Sequence, residues 1–208
     1  NRGIPGQVDG LTDVVAVAPG SNHTLALKDD GTVWAWGSNN YGQLGIGSKD
    51  NKTIPEQVYK IADVKAIAAG EEFSFALKDD GTVWSWGKNN YGQLGNNTTT
   101  RSLVADEVYG LTNVQAIAAG KEHSLVLKND GTVWAWGRGN NGQLGNGCSG
   151  SSEKSVIPVK VADLTDVQAI ATGYNFSFAI KNDGTVWGWG VNYNGQLGNG
   201  NREIEKQT

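Results

Sequence analysis

The sequence predicts an all-β protein: a β-propeller built from four-stranded antiparallel blades, with four repeats in a single array over residues 1–208. Three observations carry this. First, GTVWAWGSNNYGQLG at residues 31–45 returns as GTVWSWGKNNYGQLG, GTVWAWGRGNNGQLG and GTVWGWGVNYNGQLG, placing Gly31, Gly81, Gly131 and Gly184 at intervals of 50, 50 and 53 residues. Second, every tryptophan falls in the four WxWG words: Trp34, Trp36, Trp84, Trp86, Trp134, Trp136, Trp187 and Trp189. Third, each unit divides into short apolar or alternating runs punctuated by Gly, Asp and Pro, and no helical period competes.

The elements follow in order within each unit. Strand A is small and apolar, as in VVAVAPG, VKAIAAG, VQAIAAG and VQAIATG. Strand B alternates with the period of a pleated strand, as in HTLALK, FSFALK, HSLVLK and FSFAIK. Asp-Gly then turns the chain directly into TVWxWG, strand C, a strong short-range hairpin signal. Strand D reads IPGQV at 4, IPEQV at 54, LVADEV at 103 and IPVKV at 157, and Pro5, Pro55 and Pro158 confine it to a sheet edge because proline cannot donate to a ladder. The units span about 14–58, 64–108, 114–161 and 167–208, with residues 1–8 as an additional D strand. The two tryptophans of each strand C stand at i and i+2, on one face, where rings burying on the order of 150–250 Å² each would fill the wedge between blades. The glycines of GQLG are expected to supply backbone angles closed to other residues.

Composition bounds the function. A chain of 208 residues and 22.0 kDa buries roughly 70% of its unfolded surface and needs no staples. Cys148 is alone, so neither an internal disulfide nor a cysteine zinc cluster is available. A formal net charge of -4 gives no global attraction for nucleic acid or anionic lipid. No apolar run approaches the ~20 residues of a membrane span. Methionine is absent, and NRGIPGQV lacks a signal-peptide core, so the chain reads as a processed or excised piece.

The repeats resemble the regulator of chromosome condensation family, in its bacterial form. AIAAGKEHSLVLKNDGTVWAWG and NNGQLG carry the likeness: a small-residue strand ending in Gly, a His-Ser strand, WG, then the GQLG loop. The resemblance covers essentially the whole chain and implies a propeller, in that family typically seven-bladed. It implies less about activity, because one fold carries unrelated functions. Bacterial relatives are often exported, which would make this a secreted or cell-surface protein, and one group inhibits β-lactamases through a loop face. The eukaryotic founder is a guanine-nucleotide exchange factor that docks on chromatin, but nothing here matches its insertion or basic tail.

Chemical motifs yield to architectural readings. GNGCSG at 145–150 fits a dinucleotide fingerprint but runs into a loop rather than a helix. His23 and His123 share their position with Phe73 and Phe176, which implies buried rings with a satisfied nitrogen rather than catalytic bases. Asp29 with Asp30, and Asp79 with Asp80, sit in hairpin turns, where Asp tolerates left-handed angles and bonds locally. No calcium-loop spacing is present, and Cys148 lies in a polar loop. No catalytic residue, cofactor or metal is therefore assigned.

Alternation of strand direction puts the A-to-B and C-to-D loops on one face of the ring. The B-to-C turns and D-to-A connections lie on the other. The second face repeats DDG or NDG and GLTDV-type words, whereas the first varies from unit to unit, as a binding surface on a rigid scaffold would. Its candidate partner-binding residues are Glu71, Glu72, Lys121, Glu122, Tyr174 and Asn175 near the axis, with Tyr41, Tyr91 and Tyr193 beyond them. The leading reading is a non-enzymatic module that holds a protein or peptide there. The alternatives are a carbohydrate-binding or enzymatic propeller, an exchange factor, and a fragment or engineered assembly without its own ligand. The fourth unit ends where its D strand should begin, and residues 3–8 offer that strand, so either a four-bladed ring or an eight-bladed homodimer with exchanged strands would close the array.

Overall fold

The computed structural model describes residues 3–202. The predicted strands form four antiparallel sheets. The first blade comprises β1 (Val14–Pro19), β2 (His23–Lys28), β3 (Val33–Gly37) and β4 (Lys52–Gln57), hydrogen-bonded in that order. The second comprises β5 (Val64–Ala69), β6 (Phe73–Lys78), β7 (Val83–Gly87) and β8 (Ser102–Glu107). β9 (Val114–Ala119), β10 (His123–Lys128), β11 (Val133–Arg138) and β12 (Lys154–Lys160) make the third. The fourth has three described strands, β13 (Val167–Thr172), β14 (Phe176–Lys181) and β15 (Val186–Gly190). Residues 4–8 form no strand, so the expected D strand of the N-terminus is unpaired in the single chain. The blades form an open array rather than a closed ring, with the first strands of adjacent blades, β1 and β5, β5 and β9, and β9 and β13, packed against one another.

The turn between the second and third strands shows why Asp-Thr follows the B strand. Asp30 Oδ1 accepts from Thr32 N (2.9 Å) and Thr32 Oγ1 (2.6 Å), and Thr32 Oγ1 in turn accepts from Trp34 Nε1 at 3.2 Å. The same relay recurs at Asp80, Asp130 and Asp183, whose carboxyls the threonine hydrogen bonds hold below the usual aspartate range. The left-handed angle here belongs to the glycine, with φ +77° at Gly31. Among acidic residues it appears instead in the D-to-A connections, at Asp13, Asp63, Asp163 and Asp166.

Three apolar clusters fill the three wedges. In the first, Leu25, Leu27, Val33, Ala35 and Leu44 of one blade meet Ala76 and Trp86 of the next. The two tryptophans of a strand have different fates. Trp86 and Trp136 are fully buried, whereas Trp34, Trp84 and Trp134 are half-buried at the rim, above the relay that holds them. The second indole of strands β7, β11 and β15 donates across the wedge to a loop carbonyl: Trp86 Nε1 to Gln43 O (2.9 Å), Trp136 Nε1 to Gln93 O (3.0 Å) and the half-buried Trp189 Nε1 to Gln143 O (3.0 Å). The loop glycine must lack a Cβ for this approach, since at Gly45 (φ +68°) a Cβ would lie 2.8 Å from Trp86 Nε1.

His23 and His123 are buried in the first and third wedges, with Nε2 3.0 Å from Ser74 Oγ and Ser177 Oγ respectively. Each serine hydroxyl donates to a glutamine carbonyl, so the imidazole donates from Nε2 and its Nδ1 is left without a partner.

Two outcomes follow. Trp86→Ala should destabilise the chain by about 3–5 kcal/mol, and Trp84→Ala by clearly less, in chemical denaturation; equal losses would contradict the different burial of the two rings. Burial lowers both histidine pKa values from 6.5 to about 4. A depressed folded-state pKa means that the unfolded chain takes up the proton first. The stability these rings contribute is therefore intact above pH ~6.5 and is lost as pH falls towards 4, by on the order of 3 kcal/mol per ring. Melting temperatures between pH 7 and 4.5 should fall for the native chain and fall less for a His23→Phe/His123→Phe double variant.

Candidate functional site

The A-to-B loops end strands that lie innermost, so their residues gather about the axis. An open cleft of ≈ 220 Å³ there is lined by residues from all four blades, among them Ser21, Glu71, Lys121 and Tyr174. The loops are tied in series, Glu71 N donating to Lys121 O (3.2 Å) and Lys121 N to Tyr174 O (2.9 Å). Their side chains repeat the order: Glu71 Oε1 is 3.5 Å from Lys121 Nζ, which stands 4.5 Å from the centre of the exposed Tyr174 ring. The Tyr174 side chain holds the Lys121 ammonium above the usual lysine range; burial opposes it, and the Glu71 charge adds a smaller upward effect.

Glu72 and Glu122 turn away from this cleft into a second group. Lys88 Nζ lies 2.7 Å from Glu72 Oε2 and 3.3 Å from Glu122 Oε1, and Arg138 Nη1 lies 2.7 Å from Glu122 Oε2. Burial opposes the Lys88 charge, and the two carboxylates outweigh it, pushing its pKa up to about 12. Tyr41 covers Lys88 at 5.2 Å and Tyr91 covers Arg138 at 4.8 Å. A continuous band of alternating charge, capped by tyrosines, thus crosses from the first blade to the third. Tyr193 is exposed and stacks on no cation among the described residues. Asn175 has its Oδ1 buried without a partner. Lys88 and Arg138 escaped the loop comparison because they are the last residues of, or immediately follow, a strand. The available signal is a base directly after WG in the second and third units, where the first and fourth have Ser38 and Val191.

The chemistry on this face is recognition by charge and aromatic surface. Each Ser-His pair lies in a wedge, with the serine hydroxyl committed to a backbone carbonyl. Among the described residues no three His, Cys, Asp or Glu side chains are gathered for a metal, and Cys148 is an exposed free thiol.

A family model described as the RCC1-like domain matches residues 2–208. The chain belongs to the RCC1-like domain family. Solved relatives place its fold: Prp20p from Saccharomyces cerevisiae, 29% identical, TM-score 0.84 over 95% of this chain and 50% of that one; and human WBSCR16, 29% identical, TM-score 0.80 over 92% and 51%. Prp20 has also been solved bound to Kap60, and Prp20p is described by its binding to Gsp1p and histones. Among curated proteins, the regulator of chromosome condensation of Xenopus laevis is 35% identical over 57 residues, 27% of this chain and 13% of that protein. Human Protein RCC2 is 47% identical over 47 residues, 22% and 9%. The chain spans about half the length of the solved relatives and less of the curated ones.

The charged band makes a claim on stability. Lys88→Met removes a cation from Glu72 and from Glu122, whose side chain is 6% exposed and, among the described residues, keeps only Arg138. A loss of about 1–3 kcal/mol is expected in denaturant titration, whereas Lys49→Met on the outer loop should change little.

Proposed function

We propose that this RCC1-like propeller array is a non-enzymatic interaction module that holds a protein or peptide against the loop face at the axis. The observation that carries the reading is the contrast between the two faces. The relay face repeats one Asp-Thr-Trp arrangement in every blade. The loop face concentrates unlike charges and aromatics: Glu71, Lys121 and Tyr174 at its centre, and the Lys88 and Arg138 band beside them. Tyrosine and arginine are residues that interfaces favour. That the yeast relative is known in association with Kap60, Gsp1p and histones supports a protein partner by analogy.

The geometry weighs against a sugar-stacking platform. Tyr41, Tyr91 and Tyr174 each already face a cation, leaving Tyr193 as the remaining candidate of the four. An exchange-factor role rests on family likeness alone, and no feature of this face selects it.

Affinity capture from extracts of the source organism, with variants in parallel, tests the proposal. A specific partner should be retained by the native chain and by Asp79→Lys on the relay face, and reduced at least tenfold with Glu71→Lys or Tyr174→Ala at unchanged melting temperature. Equal retention by all variants would refute the face assignment. Glycan binding abolished by Tyr193→Ala would replace this reading with the carbohydrate one.

A further inference from the structure

One place on the loop face is filled differently from wedge to wedge, and the second wedge shows it complete. The residue that follows WG has the same backbone register in every blade. Ser38, Lys88, Arg138 and Val191 each donate N–H to the carbonyl of the residue before the second strand's leading ring, Asn22, Glu72, Glu122 and Asn175, at 2.8–2.9 Å. In the second wedge Lys88 lies between two carboxylates, Glu72 of its own blade at 2.7 Å and Glu122 of the next at 3.3 Å, and faces Tyr41 of the preceding blade. Arg138 holds the same place one blade on. It faces Tyr91 of the preceding blade and lies 2.7 Å from Glu122 of its own, but the next blade brings Asn175 where Lys88 meets Glu122.

Arg138 is therefore one carboxylate short. Glu122 divides its two oxygens, Oε1 to Lys88 and Oε2 to Arg138, so the lysine has two anionic partners and the arginine shares one. Among the described residues the guanidinium is hydrogen-bonded through Nη1 alone, which leaves the donors on Nε and Nη2 unused. Its side chain is 29% exposed, against 13% for Lys88. Asn175 shows the same gap from the other side. Its Oδ1 is turned inward and buried without a partner, so the amide offers its Nδ2 donor end to the surface.

A place lined by donors from two blades, where the neighbouring wedge holds a glutamate side chain, is shaped for an anionic acceptor of that size. Glu122 remains against Arg138, and its charge opposes a dianionic phosphate more strongly than a monoanionic carboxylate. The band as a whole sets Glu72 and Glu122 against Lys88 and Arg138 and carries no cationic surplus for a nucleic-acid backbone.

We propose that the third wedge seats an acidic side chain, Asp or Glu, of the protein or peptide held on the loop face: its carboxylate takes the place at Arg138 and Asn175 that Glu122 takes at Lys88. The proposal rests on the loop-face reading and names the chemistry of its partner. Arg138 then has two anions, as Lys88 has, and Glu122 keeps both of its cations. Because the missing charge arrives only with the partner, the seat selects for it: a glutamine of the same shape leaves the guanidinium as it was.

The seat can be tested on the full chain before any partner is known. The peptide acetyl-Gly-Gly-Glu-Gly-Gly-amide is titrated into the isotope-labelled chain while the Arg138 Nε–Hε resonance is followed, beside versions with glutamine or phosphoserine at the centre. The Glu peptide should give a saturable shift with a dissociation constant of about 10 mM, the weak end of the affinity scale, and the Gln peptide none. No shift with Glu, or equal shifts with Glu and Gln, overturns the proposal, as does tighter binding of the phosphoserine peptide. Asn175→Glu fills the seat from within. It should abolish the peptide shift and raise the melting midpoint by about 2–4 °C, and the rise should vanish in an Arg138→Gln background. A midpoint that falls, or a rise that persists without Arg138, counts against the seat. In affinity capture, Arg138→Gln and Asn175→Glu should each reduce the retained partner at least tenfold. A partner lost with Glu71→Lys or Tyr174→Ala but indifferent to these two leaves the loop-face reading standing and overturns this one. A Glu-peptide shift with no captured partner supports the seat while the loop-face reading fails.

Discussion

One backbone carbonyl per blade carries the contact on which the array depends. The carbonyls of Gln43, Gln93 and Gln143 each accept an indole N–H and a serine hydroxyl from the following blade. The rest of the loop serves to aim that oxygen. In the first blade the Gln43 side chain is folded back to accept from Tyr41 N, and Asn39 Oδ1 accepts from Leu44 N while its amide group ties down Ser48 and Asp50. The third unit has Gly139 where the others have Asn39, Asn89 and Asn192, and there Gly139 N donates to Glu153 O, closing a longer loop by other means. Because donors and acceptor belong to different blades, stability resides in the wedges, and no blade completes its own polar groups alone.

This explains which parts of the molecule were legible in the sequence. The period, the four strand types, the edge position of the proline-bearing strand and the tryptophan wedges are all local patterns repeated in register, and repetition makes them readable. The unequal burial of Trp84 and Trp86 was not readable: both point to one face, and only the arrival of Gln43 from the neighbouring blade separates them. The six axial residues likewise divide by what lies across the wedge. Glu71, Lys121 and Tyr174 face the cleft, while Glu72 and Glu122 turn to Lys88, which directly follows β7. The unpaired state of residues 4–8 follows from the same limit, since a strand signal names an element and not its partner.

Alternation of histidine and phenylalanine at the start of the second strand adds a period of two blades. His23 and His123 bond a serine across their wedges, whereas Phe73 and Phe75 stack edge to face and Phe75 meets Trp136 in the same manner. One glycine position serves both ring types. A Cβ at Gly20 would lie 2.3 Å from His23 Cε1, and at Gly70 2.0 Å from Phe73 Cε1, so the strand before the ring must end without a side chain. Wedges with a buried imidazole, the first and third, therefore flank one with aromatic rings in its place. Acid should loosen the array at its first and third joints while leaving the pair of blades joined by the second wedge intact.

The two faces of the array are constrained to different depths. On the relay face the Asp-Thr-Trp hydrogen bonds run from the turn into the rim of the wedge, so a change at Asp80 or Thr82 reaches the packing of Trp84 directly. On the loop face the constraint stops at the asparagine and glutamine that aim the carbonyl, and side chains beyond them can vary without moving it. Lys88 and Glu122 are an exception, because their contact at 3.3 Å joins the second blade to the third, as the axial Glu71–Lys121 pair at 3.5 Å also does. A ligand that drew Glu122 towards itself would compete with Lys88 and Arg138 for the same two oxygens. Engagement at that point would be felt in the wedge below, and engagement of Lys121 at the axis would be felt through its contacts to Glu71 and Tyr174 in the neighbouring blades.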